Sequence, residues 1–122
     1  MIKRTLKQSI TNALKGIAFA FRTQRNMRIH GIAGILALCL ATYLRLSLTN
    51  MAIIVLTVIV VMVCEMVNTA IECATDIQAS DNFNPLVKVA KDVAAGAVWL
   101  SAMGAILIGI LIFIPAILQR LK

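Results

Sequence analysis

The chain is 122 residues long, 61% hydrophobic and only 14% charged, with a formal net charge of +7 from 12 Lys or Arg against 5 acids. An average soluble domain is about 25% charged, and so short a chain cannot hide this much apolar surface from water. The composition excludes a disordered or collagen-like chain and leaves no room for a separate soluble catalytic domain; what it predicts is an all-α integral membrane protein.

In chain order, residues 3–24 come first. Apolar Leu6, Ile10, Ala13, Leu14, Ile17 and Phe21 recur at spacings of three and four, opposite a basic face. The segment is too charged to span and predicts a helix lying in the membrane interface, with a surface helix of a bundle as the plainer alternative. It has no signal-peptide cleavage pattern. Residues 29–48 predict a first span around the uninterrupted run IAGILALCLATYL, with Tyr43 and Arg45 anchoring its far end. His30, where the basic arm meets the apolar run, reads as an interfacial anchor.

A second span is predicted over 51–78. Fourteen residues, MAIIVLTVIVVMVC, carry no charge, and no Gly or Pro interrupts Met51 to Asp76. Such a helix exceeds the ~30 Å hydrocarbon core, so its second half must emerge. Residues 79–86, with Ser80, Asp81, Asn82, Asn84 and Pro85, carry turn signals. The third span follows over 86–118, with Ala94, Ala95, Gly96 and Ala97 as a small-residue face for helix packing, and Trp99 as a packing residue.

Charge placement sets the orientation. Lys3, Arg4, Lys7, Lys15, Arg22, Arg25 and Arg28 stand in the first 28 residues without an acid. With three spans, nine basic residues fall on the N-terminal side (these seven with Lys88 and Lys91) against Arg45, Arg120 and Lys122 on the other. That predicts a multi-pass protein of the inner or plasma membrane with a cytoplasmic N-terminus. A basic arm facing anionic lipid fits such a chain better than a nucleic-acid contact, and no nucleic-acid partner is expected. Cys39, Cys64 and Cys73 have no metal-ligand spacing and read as free thiols packed in helices.

The acids are concentrated. Glu65, Glu72, Asp76, Asp81 and Asp92 lie within 28 consecutive residues. Glu65, Asn68, Glu72 and Asp76 share one helix face, within an arc of about 80° at ~100° per residue. An ionisable group at membrane depth costs at least ~2.5–3.5 kcal/mol, so a stripe of them needs a reason. Carboxylates facing a Lys can hold Mg²⁺ and a polyphosphate, with one left as general base. Alternatively they form a proton or cation relay in a transporter, or a packed polar seam in a non-catalytic scaffold. Lys91 and Asp92 open the third span and form a second cluster, either a phosphate site or an ion pair to Asp76 or Asp81.

These residues are also recognisable. EMVNTAIECATD at 65–76, followed by a turn and AKDVAAGAV at 90–98, resembles the prokaryotic diacylglycerol kinase family. RNMRIHG at 25–31 and FNPL at 83–86 resemble its Gram-positive-type branch, which includes undecaprenol kinases. The resemblance covers nearly the whole chain. It implies a homotrimeric membrane kinase that uses MgATP to phosphorylate the hydroxyl of undecaprenol or diacylglycerol, at sites shared between subunits. It also implies roles. Glu65 matches the general base and Asn68 a polar partner beside it. Glu72 matches the metal-binding carboxylate. Asp76, Lys91 and Asp92 match nucleotide-site residues, Lys91 on phosphate. Many members carry Glu just before the RN pair, as a further metal ligand. Here that position is Gln24, whose amide oxygen can ligate Mg²⁺ without bringing a charge.

Overall fold

The structure is a computed structural model and describes residues 3–78 and 84–122. Four helices follow one another: α1 (Leu6–Thr23), α2 (Arg25–Tyr43), α3 (Leu48–Gln78) and α4 (Pro85–Arg120). Of the turn expected at 79–86, residues 79–83, with Ser80, Asp81 and Asn82, lie outside the described residues.

Local chemistry sets each boundary. Thr5 and Gln8 start α1 with a reciprocal capping box: the Gln8 amide N–H donates to Thr5 Oγ1 at 3.2 Å, and the Thr5 N–H donates to Gln8 Oε1 at 2.9 Å. Gln24 breaks the helix with extended backbone, φ −108° and ψ 115°, so α1 and α2 meet at an angle through one residue. Arg28 ties the joint: its Nη1 donates to the carbonyls of Phe21 and Arg22 at 2.9 and 3.0 Å, groups that the end of α1 leaves unpaired.

α2 stops at Tyr43, short of the expected Leu48. The Leu46 N–H reaches back to the Ala41 carbonyl at 3.2 Å and the Arg45 N–H to Thr42 at 3.1 Å, a Schellman closure. It requires a left-handed residue, and Arg45 supplies it at φ 54°, at a cost of ~1–2 kcal/mol for a side chain other than Gly. Hydropathy carries no trace of this, since Leu44 and Leu46 are as apolar as the helix they follow. Ser47 then caps α3 by accepting from the Asn50 N–H at 3.2 Å. Asn84 caps α4 in the same way, accepting from Leu86 at 2.9 Å, with Pro85 in the first turn.

α3 and α4 form the main hairpin, α2 packs along α3, and α1 touches α2 and α3. Gly34 sets the approach of α2 to α3, because a Cβ there would stand 2.7 Å from Val58 Cγ1. The buried apolar set among the described residues is small: Ala20, Met27, Ala41, Ile54, Val61, Ala94 and Val98. Seven residues are too few for a self-sufficient core. Large side chains such as Leu100 and Leu111, 75% and 64% exposed, instead face outward along α4. Only α3 and α4, among the described helices, are long and apolar enough to cross a membrane. The 31 residues of α3 reach about 46 Å.

Three sequence readings find no support within the single chain. Trp99 is 71% exposed and lies outside the chain's own buried set. Of the small residues at 94–97, only Ala94 is buried; a Cβ on Gly96 would meet nothing within 4 Å. One helix cannot turn four consecutive residues toward one neighbour. Cys39 and Cys73 are free but exposed on their helices rather than packed inside the chain.

Candidate active site

The site is built on one face of α3. Ile54 and Val61 are buried on that face, and Glu65, Asn68 and Thr69 continue it toward the end of the helix. Spacings of seven, four and three keep these positions under the neighbouring helices. Halfway along, the packing face changes from apolar to polar without leaving cover.

Burial falls along the polar half. Glu65 is 1% exposed and Asn68 7%. Glu72 is half-buried, and the Asp76 side chain is 66% exposed. Asn68 Nδ2 donates to Glu72 Oε1 at 3.1 Å, so these two act as one unit. Thr69 returns its hydroxyl to the Glu65 carbonyl at 2.9 Å, leaving the Glu65 side chain to other partners. Glu65 Oε2 and Asn68 Oδ1 are buried and have no hydrogen-bond partner among the described residues. Buried polar atoms are nearly always paired, so two orphans on one face mark a place built for something the single chain does not contain.

The second cluster arrives from α4. Lys91 Nζ donates to Asp76 Oδ1 at 2.9 Å, joining the start of α4 to the end of α3. Asp92 faces elsewhere, accepting from Lys88 Nζ at 2.6 Å on its own helix. Gln24 is half-buried at the joint of α1 and α2, and its side chain caps neither helix. The structure thus brings together Asn68 with Glu72, and Asp76 with Lys91. It does not draw Asp92 or Gln24 into either pair.

His30 is the residue that sequence reasoning misplaced. It is no mere anchor: its Nε2 lies 3.9 Å from Glu65 Oε2. RNMRIHG marks a lone His at the start of the first apolar run but carries no sign of its partner on α3. His30 also heads an apolar groove of about 380 Å³ between α2, α3 and α4, lined by small residues such as Ala33, Gly34, Ala37 and Ala105 and ending at Phe113.

No three His, Cys, Asp or Glu side chains converge on a possible metal position among the described residues. The oxygens on hand are nevertheless of the kind a hard cation takes: the Glu72 carboxylate, the orphaned Asn68 Oδ1 and the uncommitted Gln24 amide.

A prokaryotic diacylglycerol kinase family model matches residues 11–113, which include every residue of the two clusters. The chain belongs to that family. It is 39% identical over 111 residues to a diacylglycerol kinase of Synechocystis, an alignment covering 91% of this chain and 63% of that protein. It is likewise 39% identical over 108 residues to the undecaprenol kinase of Bacillus subtilis, covering 88% and 87%. To the diacylglycerol kinase of Escherichia coli it is 29% identical over 93 residues, covering 76% and 75%. The chain therefore spans less than two thirds of the Synechocystis protein and most of the Bacillus one.

Proposed function

We propose that this chain is a lipid kinase that transfers the γ-phosphoryl group of MgATP to the hydroxyl of a membrane lipid, undecaprenol or diacylglycerol. The observation that carries this is the fall in burial along the α3 stripe, from Glu65 at 1% to the Asp76 side chain at 66%. A lipid hydroxyl lies at the membrane boundary and a nucleotide lies in water. The eleven residues from Glu65 to Asp76 climb about 16 Å, the distance between those two places.

In this reading α3 and α4 span the membrane by their own length and hydropathy, the shorter α2 crosses with them packed along α3, α1 lies in the interface and the N-terminus is cytoplasmic. The uneven spread of basic residues supports that orientation. Glu65 is the general base toward the lipid hydroxyl, and its free Oε2 is available for the task. Asn68 holds the carboxylate of Glu72 on one side and offers Oδ1 on the other. Asp76 and Lys91 meet the nucleotide: in the free protein they neutralise each other, and an arriving phosphate takes over the ammonium. Asp92 flanks them. The groove below His30 suits a hydrocarbon chain, because its walls are methyl groups and small residues.

Glu72 and Gln24 would hold Mg²⁺, and the buried Asn68 Oδ1 is a further free oxygen on the same stripe. The ion, when bound, would supply charge neutralisation for the transferring phosphoryl group. The chain's own part is positioning: it holds hydroxyl, base and phosphate in line and keeps bulk water away from Glu65. The two buried oxygens without a partner among the described residues, Glu65 Oε2 and Asn68 Oδ1, support a homotrimer with sites shared between subunits. The exposed apolar faces of α3 and α4 give such an assembly its contact surface.

An ion-coupled transporter is not favoured. The groove that continues from the stripe toward the far side has apolar and small walls with a single hydroxyl, Thr57, so no relay crosses. Incubation with radiolabelled ATP and Mg²⁺ in vesicles carrying either undecaprenol or diacylglycerol tests the proposal. Label in one of the two lipids is expected; ATP consumption without label in either would overturn it.

A further inference from the structure

Phosphorylating an alcohol releases a proton, and that proton must reach water. Glu65 is 1% exposed, and its Oε2 touches no solvent and no hydrogen-bond donor among the described residues. A proton taken up there has no direct way out, and a base that stays protonated cannot serve the next turnover. The group that faces this oxygen is the His30 imidazole, with Nε2 3.9 Å away. Its side chain is 23% exposed, so His30 is reached from outside the chain where Glu65 is not.

We propose that His30 is the proton exit of the active site. This rests on the reading of Glu65 as the base of a lipid kinase. The lipid O–H bond breaks as the new O–P bond forms, the γ P–O bond of ATP breaks, and Glu65 takes the proton. The carboxyl then gives that proton to His30 Nε2, returning to carboxylate as the ring becomes imidazolium. Release of a proton from Nδ1 to water, followed by tautomer exchange, restores the ring. One alcohol and one ATP have become one phosphate ester, one ADP and one proton, and both residues stand as they began. The 3.9 Å separation is about 1 Å longer than a hydrogen bond, a gap that a small rotation about the His30 side-chain bonds closes.

The surroundings leave His30 as the group for this task. On α3, Cys64 is the neighbouring free thiol, and the next carboxylate is Glu72, two turns on and bonded to Asn68. On α2, Arg28 is tied to the carbonyls of Phe21 and Arg22, and Arg25 is exposed. From α1 the residues at this level are Ala20 and Phe21, and from α4 Ala94, Val98 and Ala102, none of which titrates. Lys91 is engaged with Asp76. An imidazole is suited to the role because its two ring nitrogens let it take a proton on one side and release one from the other.

The test compares His30→Ala and His30→Gln with the unaltered protein in the same vesicle assay, with nucleotide binding measured for each. His30→Ala should lower kcat by about 10- to 100-fold, within the range of general acid–base steps, and leave nucleotide KM within about twofold. Added imidazole should restore several-fold of the lost rate, because it can occupy the vacated space and carry the proton. His30→Gln keeps a polar side chain but cannot carry a proton; it should be about as slow and should not respond to imidazole. Near-normal kcat in His30→Gln, or a nucleotide-binding His30→Ala protein that imidazole leaves unchanged, would overturn the proposal. If His30→Ala loses nucleotide binding, His30→Gln decides alone. Failure of the unaltered protein to label either lipid would strike the kinase reading instead.

Discussion

The two halves of α3 do opposite things with the same face. From Ile54 to Val61 the face packs apolar side chains under α2 and α4; from Glu65 to Asp76 it carries polar ones, and cover over it thins from 1% to 66% exposure. In the first half a residue is defined by volume, in the second by the charge and hydrogen bonds it brings. The hinge between them is the pair Val61 and Glu65, one turn apart and both buried. A carboxylate placed one turn beyond a buried apolar pair is anchored by the helix packing below it. In the proposed reading that packing supplies the rigidity that positioning requires.

The largest effect should come from the buried end of the polar half. Glu65→Gln is nearly the same size and keeps a polar head, but it cannot accept the hydroxyl proton. Lipid phosphorylation should fall at least about 100-fold, the lower bound for a lost general base. A residual rate of more than a few percent would take the base assignment away from Glu65. At the exposed end, Lys91→Met removes the cation while keeping the length of the stem. The KM for nucleotide should rise about tenfold or more, as expected for loss of a charge-assisted contact. An unchanged nucleotide KM would reduce the Lys91–Asp76 contact to a structural ion pair.

The apolar half makes a different kind of prediction. Gly34→Ala places a methyl group 2.7 Å from Val58 Cγ1, and overpacking of this sort costs typically ~1–3 kcal/mol. Thermal unfolding in detergent should shift down, and the added change Val58→Ala should recover part of the loss. Equal losses with and without Val58→Ala would mean that the α2–α3 approach is not what Gly34 sets. The smallest effect is expected at Gln24. Gln24→Glu adds a charge where the metal is proposed to sit, and the Mg²⁺ concentration for half-maximal activity should fall a few-fold. Identical magnesium titrations would remove Gln24 from the metal site.

Much of this molecule is legible in its amino-acid sequence. The 14 uncharged residues ahead of Glu65 and the absence of Gly and Pro up to Asp76 already define α3 and its stripe. The capping residues Thr5, Asn84 and Pro85 are ordinary helix-start signals, and two of them fall where the sequence expects the turn. What stays hidden depends on contacts between segments. Arg45 ends α2 through a left-handed backbone that hydropathy does not encode. Ala94, not Gly96, faces α3, because the rotation of α4 is set by its neighbours. His30 meets Glu65 across 35 positions of chain, and no spacing rule connects a lone His to a carboxylate so far away. The Asp92 partner is a local matter, Lys88 four residues ahead of it, yet AKD as a unit suggested that Lys91 and Asp92 work side by side.

In the proposed reading labour is divided along α3, with chemistry at Glu65 and nucleotide binding at the Asp76–Lys91 end. Equilibrium binding of MgATP to the Glu65→Gln protein in lipid vesicles tests this division most directly, because it asks whether the two ends can be separated. An affinity within about twofold of the unaltered protein is expected, despite the loss of turnover. A tenfold or greater loss of affinity, equivalent to about 1.4 kcal/mol, would contradict the division by showing that Glu65 belongs to the nucleotide site.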